Sequence, residues 1–200
     1  MDRPIGNGEH RGVLARVAGR GYFPHQLSWL IDNPLRSLFI SPRGLANRLP
    51  LSEGSSVLEL GAGSGYFSVE LAGRLPRGRL ELVDLQPEML AKAKRKIEKR
   101  GFCNVGYHVQ DAGVGLPFPD QTFDVAVVVA VLGEVGHRAR CLQSLYRTLR
   151  PGGVLAIHEH IPDPDRIHLA ALRSLVETED FVFRKRWGPL WNYTALFDRV

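Results

Sequence analysis

Strand-like and helix-like segments alternate along the chain from Ser55 to its end. The clearest strand is residues 123–131, a β-branched run without polar alternation, which is typical of a central strand covered on both faces. A helix pattern follows over 137–149 and stops before Pro151-Gly152-Gly153. This alternation predicts a parallel sheet with right-handed crossovers, in which ligands bind beyond the carboxyl ends of the strands.

Two regions frame this pattern. Residues 181–187 and 191–197 read as strands joined by a turn at Gly188-Pro189, which predicts an antiparallel addition at one edge of the sheet. Residues 21–49 contain three prolines and scattered aromatics, which predict short broken helices. We expect one domain of 200 residues, with a helical cap over 1–50 that roofs the site of an α/β core over 51–200. The other predicted strands are 56–60, 79–85, 104–110 and 154–158, and the other predicted helices are 66–75, 87–100 and 166–178.

Composition limits the location of the protein and the kinds of site and partner that we expect. The longest apolar run, residues 125–132, is too short to cross a bilayer, and residues 1–11 lack the apolar core of a signal peptide, so we expect a cytoplasmic protein. The two cysteines, Cys103 and Cys141, indicate neither a disulfide framework nor a metal site. Much of the net charge of +5 lies in residues 92–100. Because no aromatics interleave with these cations, a solvated helix face is favoured over a nucleic-acid or membrane surface.

A glycine-rich turn, Gly61-Ala62-Gly63-Ser64-Gly65, follows the first core strand. Glycine allows positive φ and lets a ligand approach bare backbone, and the next helix adds free N–H groups. In the dinucleotide fingerprint the third glycine would stand at Tyr66, so the spacing weakens a nicotinamide interpretation. The turn also lacks the Lys-Ser/Thr ending of a phosphate-binding loop.

An acid, Asp84, ends the second predicted strand. It is placed to accept hydrogen bonds from two ribose hydroxyls. The alternative is a cap on the following helix, a role for which Gln86 or a neighbour is better suited. We therefore favour ribose recognition.

Four segments in this order resemble class I S-adenosylmethionine (SAM)-dependent methyltransferases, in the broad group that includes quinone-biosynthesis C-methyltransferases. They are residues 57–65, 83–90, 111–124 and 149–153, and they cover about half of the chain. The resemblance implies a Rossmann-like, doubly wound fold with SAM as cofactor. It implies that Gly61, Ala62, Gly63 and Gly65 line the methionine part, that Glu59 braces this loop, that Asp84 holds the ribose, that Leu85 and Met89 contact the adenine faces, that Asp111 and Ala112 bond to the adenine edge, and that Ala130 and Val131 lie near the methionine end.

The sequence constrains the molecule that accepts the methyl group less than it constrains the cofactor. The stretch after the fourth strand lacks the Asn/Asp-Pro-Pro-aromatic motif of enzymes that methylate amino groups of nucleic-acid bases, so a nucleic-acid partner is disfavoured. His158, Glu159, His160 and Glu134 are candidate general bases, and none is preferred. His158 and His160 share a strand face, but no third metal ligand is evident, so we expect no metal.

Two functions remain open. The first is an enzyme that methylates a small, apolar or lipid-like molecule by in-line displacement. The second is a non-catalytic or regulatory protein with a SAM-binding fold. The glycines together with Asp84 and Asp111 favour the enzyme. Arsenite methylation is disfavoured because that chemistry uses several thiolates and the chain has two cysteines. The oligomeric state is not predicted.

Overall fold

A seven-stranded sheet forms the centre of the computed structural model, which describes residues 41–200. The strands are β1 Ser56–Leu60, β2 Arg79–Asp84, β3 Val105–Val109, β4 Phe123–Val129, β5 Leu149–His160, β6 Phe181–Trp187 and β7 Asn192–Arg199. The helices of the described part are α1 Pro42–Ala46, α2 Ser68–Arg74, α3 Pro87–Glu98, α4 Arg138–Thr148 and α5 Leu169–Glu177.

The strands follow the order β3-β2-β1-β4-β5-β7-β6. Neighbours from β3 to β5 are parallel, whereas β7 runs antiparallel to both β5 and β6. This arrangement confirms the predicted Rossmann-like sheet, mostly parallel with an antiparallel last strand. Because β3, β2, β1, β4 and β5 are parallel, their carboxyl ends lie at the same edge of the sheet.

Both faces of the sheet are covered. β4 is buried along nearly its whole length, as its β-branched sequence predicts. On one face Ala126 and Val128 pack beneath α4 and α5, and on the other Val125 and Val127 pack with α2 and α3. The period of two along each strand thus builds two cores from one sheet.

β5 differs most from its predicted bounds, whereas β2, β3, β4 and β7 differ by one or two residues at their ends. β5 begins at Leu149, directly after α4, and not at Val154. Leu149 already pairs with Phe123, and the register then shifts around the exposed turn of Pro151, Gly152 and Gly153. Gly152 takes a positive φ of 75° there. The proline and glycines therefore mark a bulge within the strand as well as the end of the helix.

The predicted cap, residues 1–50, lies mostly outside the described residues. Its described part contains α1, whose first turn is capped by Ser41 Oγ, an acceptor for the Gly44 N–H (2.9 Å). Leu45 and Ala46 of α1 are buried in the core on the α2 side of the sheet. None of the helices within residues 41–200 has the length and apolarity needed to span a bilayer.

Candidate functional site

A cleft opens at the carboxyl edge of the sheet, between the loops that follow β1 and β4. The strand order reverses direction at this pair, and ligands of open α/β sheets bind at such a switch point. Ten of the residues predicted to bind the cofactor line this cleft: Gly61, Ala62, Gly63, Asp84, Leu85, Met89, Asp111, Ala112, Ala130 and Val131.

The glycine loop is shaped by close packing and by positive backbone angles. Gly61 has a φ of 71°, and a Cβ on it would stand 2.1 Å from Val131 Cγ2. Its N–H donates to the carbonyl oxygen of Val83 (2.7 Å), which ties the loop to the end of β2. Gly63, with a φ of 54°, has no heavy atom closer to its Cβ position than Met89 Cε at 3.8 Å. Gly61 is therefore required by packing, whereas Gly63 presents open backbone to the cleft.

Two predicted residues lie outside the cleft lining. Gly65 has a φ of 81° and packs against α3, where a Cβ would stand 2.9 Å from Ala93 Cα. Glu59 is buried within β1, two residues before the loop. The positions suit roles in shaping the loop, and any contact of either residue with a cofactor stays a prediction.

The Asp84 carboxylate joins two segments of the site. Its Oδ2 accepts the Gly63 N–H (2.8 Å) and its Oδ1 accepts the Gln86 N–H (2.9 Å). Gln86 is the N-cap residue of α3, and its side chain makes no capping bond. Burial raises the pKa of Asp84, although these backbone N–H groups counteract the rise. The ribose and helix-cap interpretations are therefore compatible, since each carboxylate oxygen has a further lone pair.

Asp111 combines two tasks in the same way. Its Oδ1 accepts the Gly113 N–H (2.7 Å), and its carbonyl oxygen accepts the Val114 N–H (3.1 Å), so it shapes the turn after β3. The same residue and the buried Ala112 line the cleft. Asp111 can therefore both stabilise the turn and contact the adenine.

The loop after β4 closes the other side of the cleft. Ala130 has a positive φ of 52°, a strained angle for a residue with a side chain, and its N–H donates to the His158 carbonyl (2.9 Å). Such strain concentrates at functional sites. Val131 follows, and its carbonyl oxygen accepts the Glu134 N–H (2.9 Å) in a turn that brings Glu134 to the cleft.

Ser64 and Tyr66 at the glycine turn and three polar residues beyond it, Gln86, Gln110 and Glu134, also line the cleft and were not among the predicted cofactor contacts. Gln110 Nε2 donates to the Gly115 carbonyl (2.9 Å). Burial raises the pKa of Glu134 to about 7, and the negative charges of Asp163, Asp165 and Asp84 add to the rise. Gln86, Gln110 and Glu134 each follow the carboxyl end of a strand within a few residues, and that position is the one sequence signal for them.

The histidines after the fifth predicted strand lie away from the cleft lining. His158 Nδ1 is 3.1 Å from Thr194 Oγ1, which also accepts a bond from Arg48 Nη1 (2.8 Å). The His158 and His160 rings stack with centroids 5.4 Å apart. Within residues 41–200 no three side chains of the metal-binding types come together.

Glu159 points to the opposite face of β5 from these histidines. Its Oε2 accepts the Ile167 N–H (3.1 Å), and Tyr193 Oη donates to the Ile167 carbonyl (2.6 Å). Burial raises the pKa of Glu159 to about 8. Of the four candidate bases, Glu134 alone lines the cleft.

Comparisons with known proteins agree with this geometry. A model of a methyltransferase-domain family matches residues 57–153. A ubiquinone/menaquinone biosynthesis C-methyltransferase of Pasteurella multocida is 33% identical over 108 residues, which cover 54% of this chain and 40% of that protein. An arsenite methyltransferase of Halobacterium salinarum is 32% identical over 133 residues, which cover 64% of this chain and 33% of that protein. The chain thus spans less than half the length of these relatives.

Among solved structures, a SAM-dependent methyltransferase from Aquifex aeolicus has the same fold, with a TM-score of 0.82 and 22% identity over 90% of this chain and 100% of that one. The matched family segment begins in β1 and ends in β5, so it contains every predicted cofactor residue. Sequence motifs, strand order and family match converge: residues 57–153 form a methyltransferase domain that is similar to those of class I SAM-dependent methyltransferases.

Proposed function

We propose that this chain transfers the methyl group of SAM to a small, apolar or lipid-like acceptor by in-line displacement. The observation that carries the proposal is the cleft at the switch point, which brings together the glycine loop, Asp84, Asp111 and the loop after β4. These residues come from four separate stretches of the chain. Their convergence supports the proposal more strongly than a single glycine turn would.

The residues of the cleft suit the parts of SAM. Open backbone at Gly63 leaves room beside the loop, and the Asp84 carboxylate next to it is an acceptor for hydroxyl groups. Leu85 and Met89 supply apolar surface for a flat ring, and Asp111 supplies an acceptor at that end of the cleft. Donor, acceptor and apolar groups therefore match the ribose, the adenine edge and the adenine faces.

When bound, SAM supplies a methyl group on a positively charged sulfur, which is already a strong electrophile. The chain itself must then hold the acceptor in line with the methyl group and exclude water. Val129, Val131 and Val135 line the cleft near the expected methionine end, and their apolar side chains suit water exclusion. The acceptor atom attacks the methyl carbon, and the bond to sulfur breaks with its electron pair going to sulfur; a proton acceptor is optional, since not every acceptor must lose a proton.

The class of acceptor rests on this apolar lining and on the relative that acts in quinone biosynthesis. An arsenical acceptor is disfavoured. The chain has two cysteines, and burial raises the pKa of the Cys141 thiol to about 12, so it does not provide a thiolate at neutral pH. Cys103 is exposed and precedes β3, whereas the cleft residues Gln110 and Asp111 follow the other end of that strand.

Calorimetric titration with SAM, its demethylated product S-adenosylhomocysteine and NAD tests the cofactor. We expect the first two to bind and NAD not to bind, and binding of NAD alone would overturn the proposal. Turnover is tested by screening SAM consumption against quinones, phenols and lipid extracts. SAM binding without turnover on any of these would favour the alternative, a regulatory protein with the same fold.

A further inference from the structure

The turn between β6 and β7 projects large apolar side chains from the sheet. Among residues 41–200, seven large apolar side chains are exposed, and three of them cluster here: Ile161, Leu190 and Trp191. Leu190 is 63% exposed and Trp191 is 50% exposed. The Ile161 N–H donates to the Trp191 carbonyl (3.0 Å), so the end of β5 and the β6–β7 turn form one surface, which we call the hairpin tip.

The tip is held in shape by hydrogen bonds, so its exposure does not come from a loose loop. The Asn192 N–H donates to the Pro189 carbonyl (3.1 Å), and Arg166 Nη1 donates to the Leu190 carbonyl (3.1 Å). Tyr193, two residues after Trp191, is fully buried and anchors the start of β7. The chain therefore holds two adjacent apolar side chains in solvent on a fixed support.

Cations surround the tip. Arg166 contacts it directly, Arg186 donates to the Gly188 carbonyl, and Lys185 Nζ lies 4.2 Å from the centroid of the Trp187 ring. In the described part of the chain none of these three forms a salt bridge, whereas Arg184 further along β6 is paired with Asp198. Asp163 and Asp165 closely follow Ile161 along the chain, and their negative charges help to raise the pKa of Glu134 in the cleft.

The tip and the cleft share one edge of the sheet. β5 ends at His160, which pairs with Asn192 at the start of β7, so residues 161 and 188–191 extend beyond the carboxyl edge. The cleft is lined by loops that leave the same edge after β1, β2 and β4. A surface that met the tip would therefore lie on the side of the molecule at which the cleft opens.

We propose that the hairpin tip docks this protein on an anionic lipid bilayer, with Leu190 and Trp191 in the interface and Lys185, Arg186 and Arg166 against lipid phosphates. An exposed aliphatic side chain beside an indole suits the interfacial layer, where apolar groups and water meet. Cations next to such side chains complement anionic headgroups. Charges on an edge strand also hinder pairing between sheets, but that role does not explain exposed Leu190 and Trp191.

The test is co-sedimentation of the full chain, without SAM, with vesicles of phosphatidylcholine alone or mixed with phosphatidylglycerol. We expect binding to the mixed vesicles, weaker binding at high salt, and little binding to phosphatidylcholine alone. Leu190→Ser combined with Trp191→Ser should weaken binding at least about tenfold. Val182→Ser is the matched control, because Val182 is 49% exposed on the same hairpin at the opposite edge of the sheet.

Charge is tested separately. Lys185→Gln with Arg186→Gln should weaken binding by about fivefold per charge, whereas Lys99→Gln with Arg100→Gln, at the far end of α3, should leave it unchanged. Thermal melts establish that each variant folds. Three results would overturn the proposal: no binding of the natural chain to mixed vesicles, equal losses in tip and control variants, or a dimer that the tip variants dissociate. SAM titration of the same variants keeps this outcome separate from that of the proposed function.

Discussion

At the scale of single residues, Asp84 has two sets of partners. Its carboxylate holds the Gly63 and Gln86 N–H groups, and we expect it to hold a ribose as well. Asp84→Ala should therefore weaken SAM binding about ten- to several-hundred-fold, since a bond to a charged group contributes roughly 1.5–3 kcal/mol. It should also lower the free energy of unfolding by about 1–3 kcal/mol, because two backbone donors lose their acceptor. Calorimetry and urea denaturation measure the two effects.

Asp84→Asn separates these contributions, because its amide oxygen can still accept one bond. We expect intermediate values of both affinity and stability. Asp120→Ala is the control, since Asp120 is an exposed partner of Arg147 away from the cleft lining. It should cost less than about 1 kcal/mol of stability. Unchanged SAM affinity in Asp84→Ala would show that the carboxylate is a structural group alone.

Glu134 adds a charge to the cleft that depends on pH. Its pKa of about 7 means that it is mostly neutral near pH 6 and mostly charged near pH 8. SAM carries a positive sulfur that S-adenosylhomocysteine lacks, so a charged Glu134 should favour SAM. We expect the ratio of the two dissociation constants to shift a few-fold toward SAM over this pH range, and Glu134→Gln to abolish the shift. A Gln variant with the same pH dependence as the natural chain would exclude this role.

The residues of the site divide into those that a motif can indicate and those that it cannot. Asp84 ends β2 and Asp111 follows β3, each in a recognisable sequence context, so their place in the cleft follows once the sheet is parallel. Glu134 reaches the cleft through a turn closed by the Val131 carbonyl, and no local pattern specifies that turn. The sequence also did not reveal that Asp84 binds the backbone of its own site, since this depends on the distance between two loops.

At the scale of elements, Gly65 sets how closely the glycine loop approaches α3. A methyl group there would meet Ala93 Cα at 2.9 Å, whereas Gly101, with a similar φ of 77°, has no neighbour within 4 Å. Gly101→Ala should therefore cost only the backbone strain, about 1–2 kcal/mol. Gly65→Ala should cost about 1–3 kcal/mol more, because α3 must move. Urea denaturation compares them, and equal losses would show that the contact with Ala93 relaxes freely.

Element boundaries were predictable where a periodic pattern ended sharply. β1 and β6 have the predicted bounds, whereas β5 begins five residues early, because Leu149 pairs with Phe123 before the bulge at Pro151. The local propensity of Pro151, Gly152 and Gly153 favours a turn. Because the residues on both sides pair with β4, this turn becomes a bulge within β5. Long-range pairing of this kind has no local sequence signature.

At the scale of the whole molecule, alternation of strands and helices predicted a parallel sheet with one antiparallel addition. It did not predict that β7 lies between β5 and β6, because short connections favour neighbouring strands and β6 is the earlier of the two. The basic run at 92–100 lies along α3, where Met89, Leu90, Ala93 and Ile97 are buried and most of the cations are exposed. This amphipathic arrangement agrees with the predicted solvated face.

The stability of the whole molecule should also depend on pH. Burial raises the pKa of Glu159 from 4.5 to about 8 and that of Glu134 to about 7. The folded chain therefore keeps protons that the unfolded chain releases above about pH 4.5. The stabilisation is complete at lower pH and is lost as pH rises to about 8, so the free energy of unfolding should fall across this range. The slope of the free energy of unfolding against pH depends on how many protons the folded state binds and the unfolded state does not. Each such group contributes at most about 1.4 kcal/mol per pH unit.

Glu159→Gln tests this dependence, because an amide resembles the protonated acid and can still accept the Ile167 N–H. The variant should lose the part of the slope that Glu159 causes, so its stability relative to the natural chain should increase by up to a few kcal/mol between about pH 5 and pH 8. Glu177→Gln, an exposed carboxylate paired with Arg173, should leave the slope unchanged. Urea denaturation at three pH values gives the comparison. Parallel curves for the natural chain and Glu159→Gln would mean that Glu159 is ionised in the folded protein throughout this range.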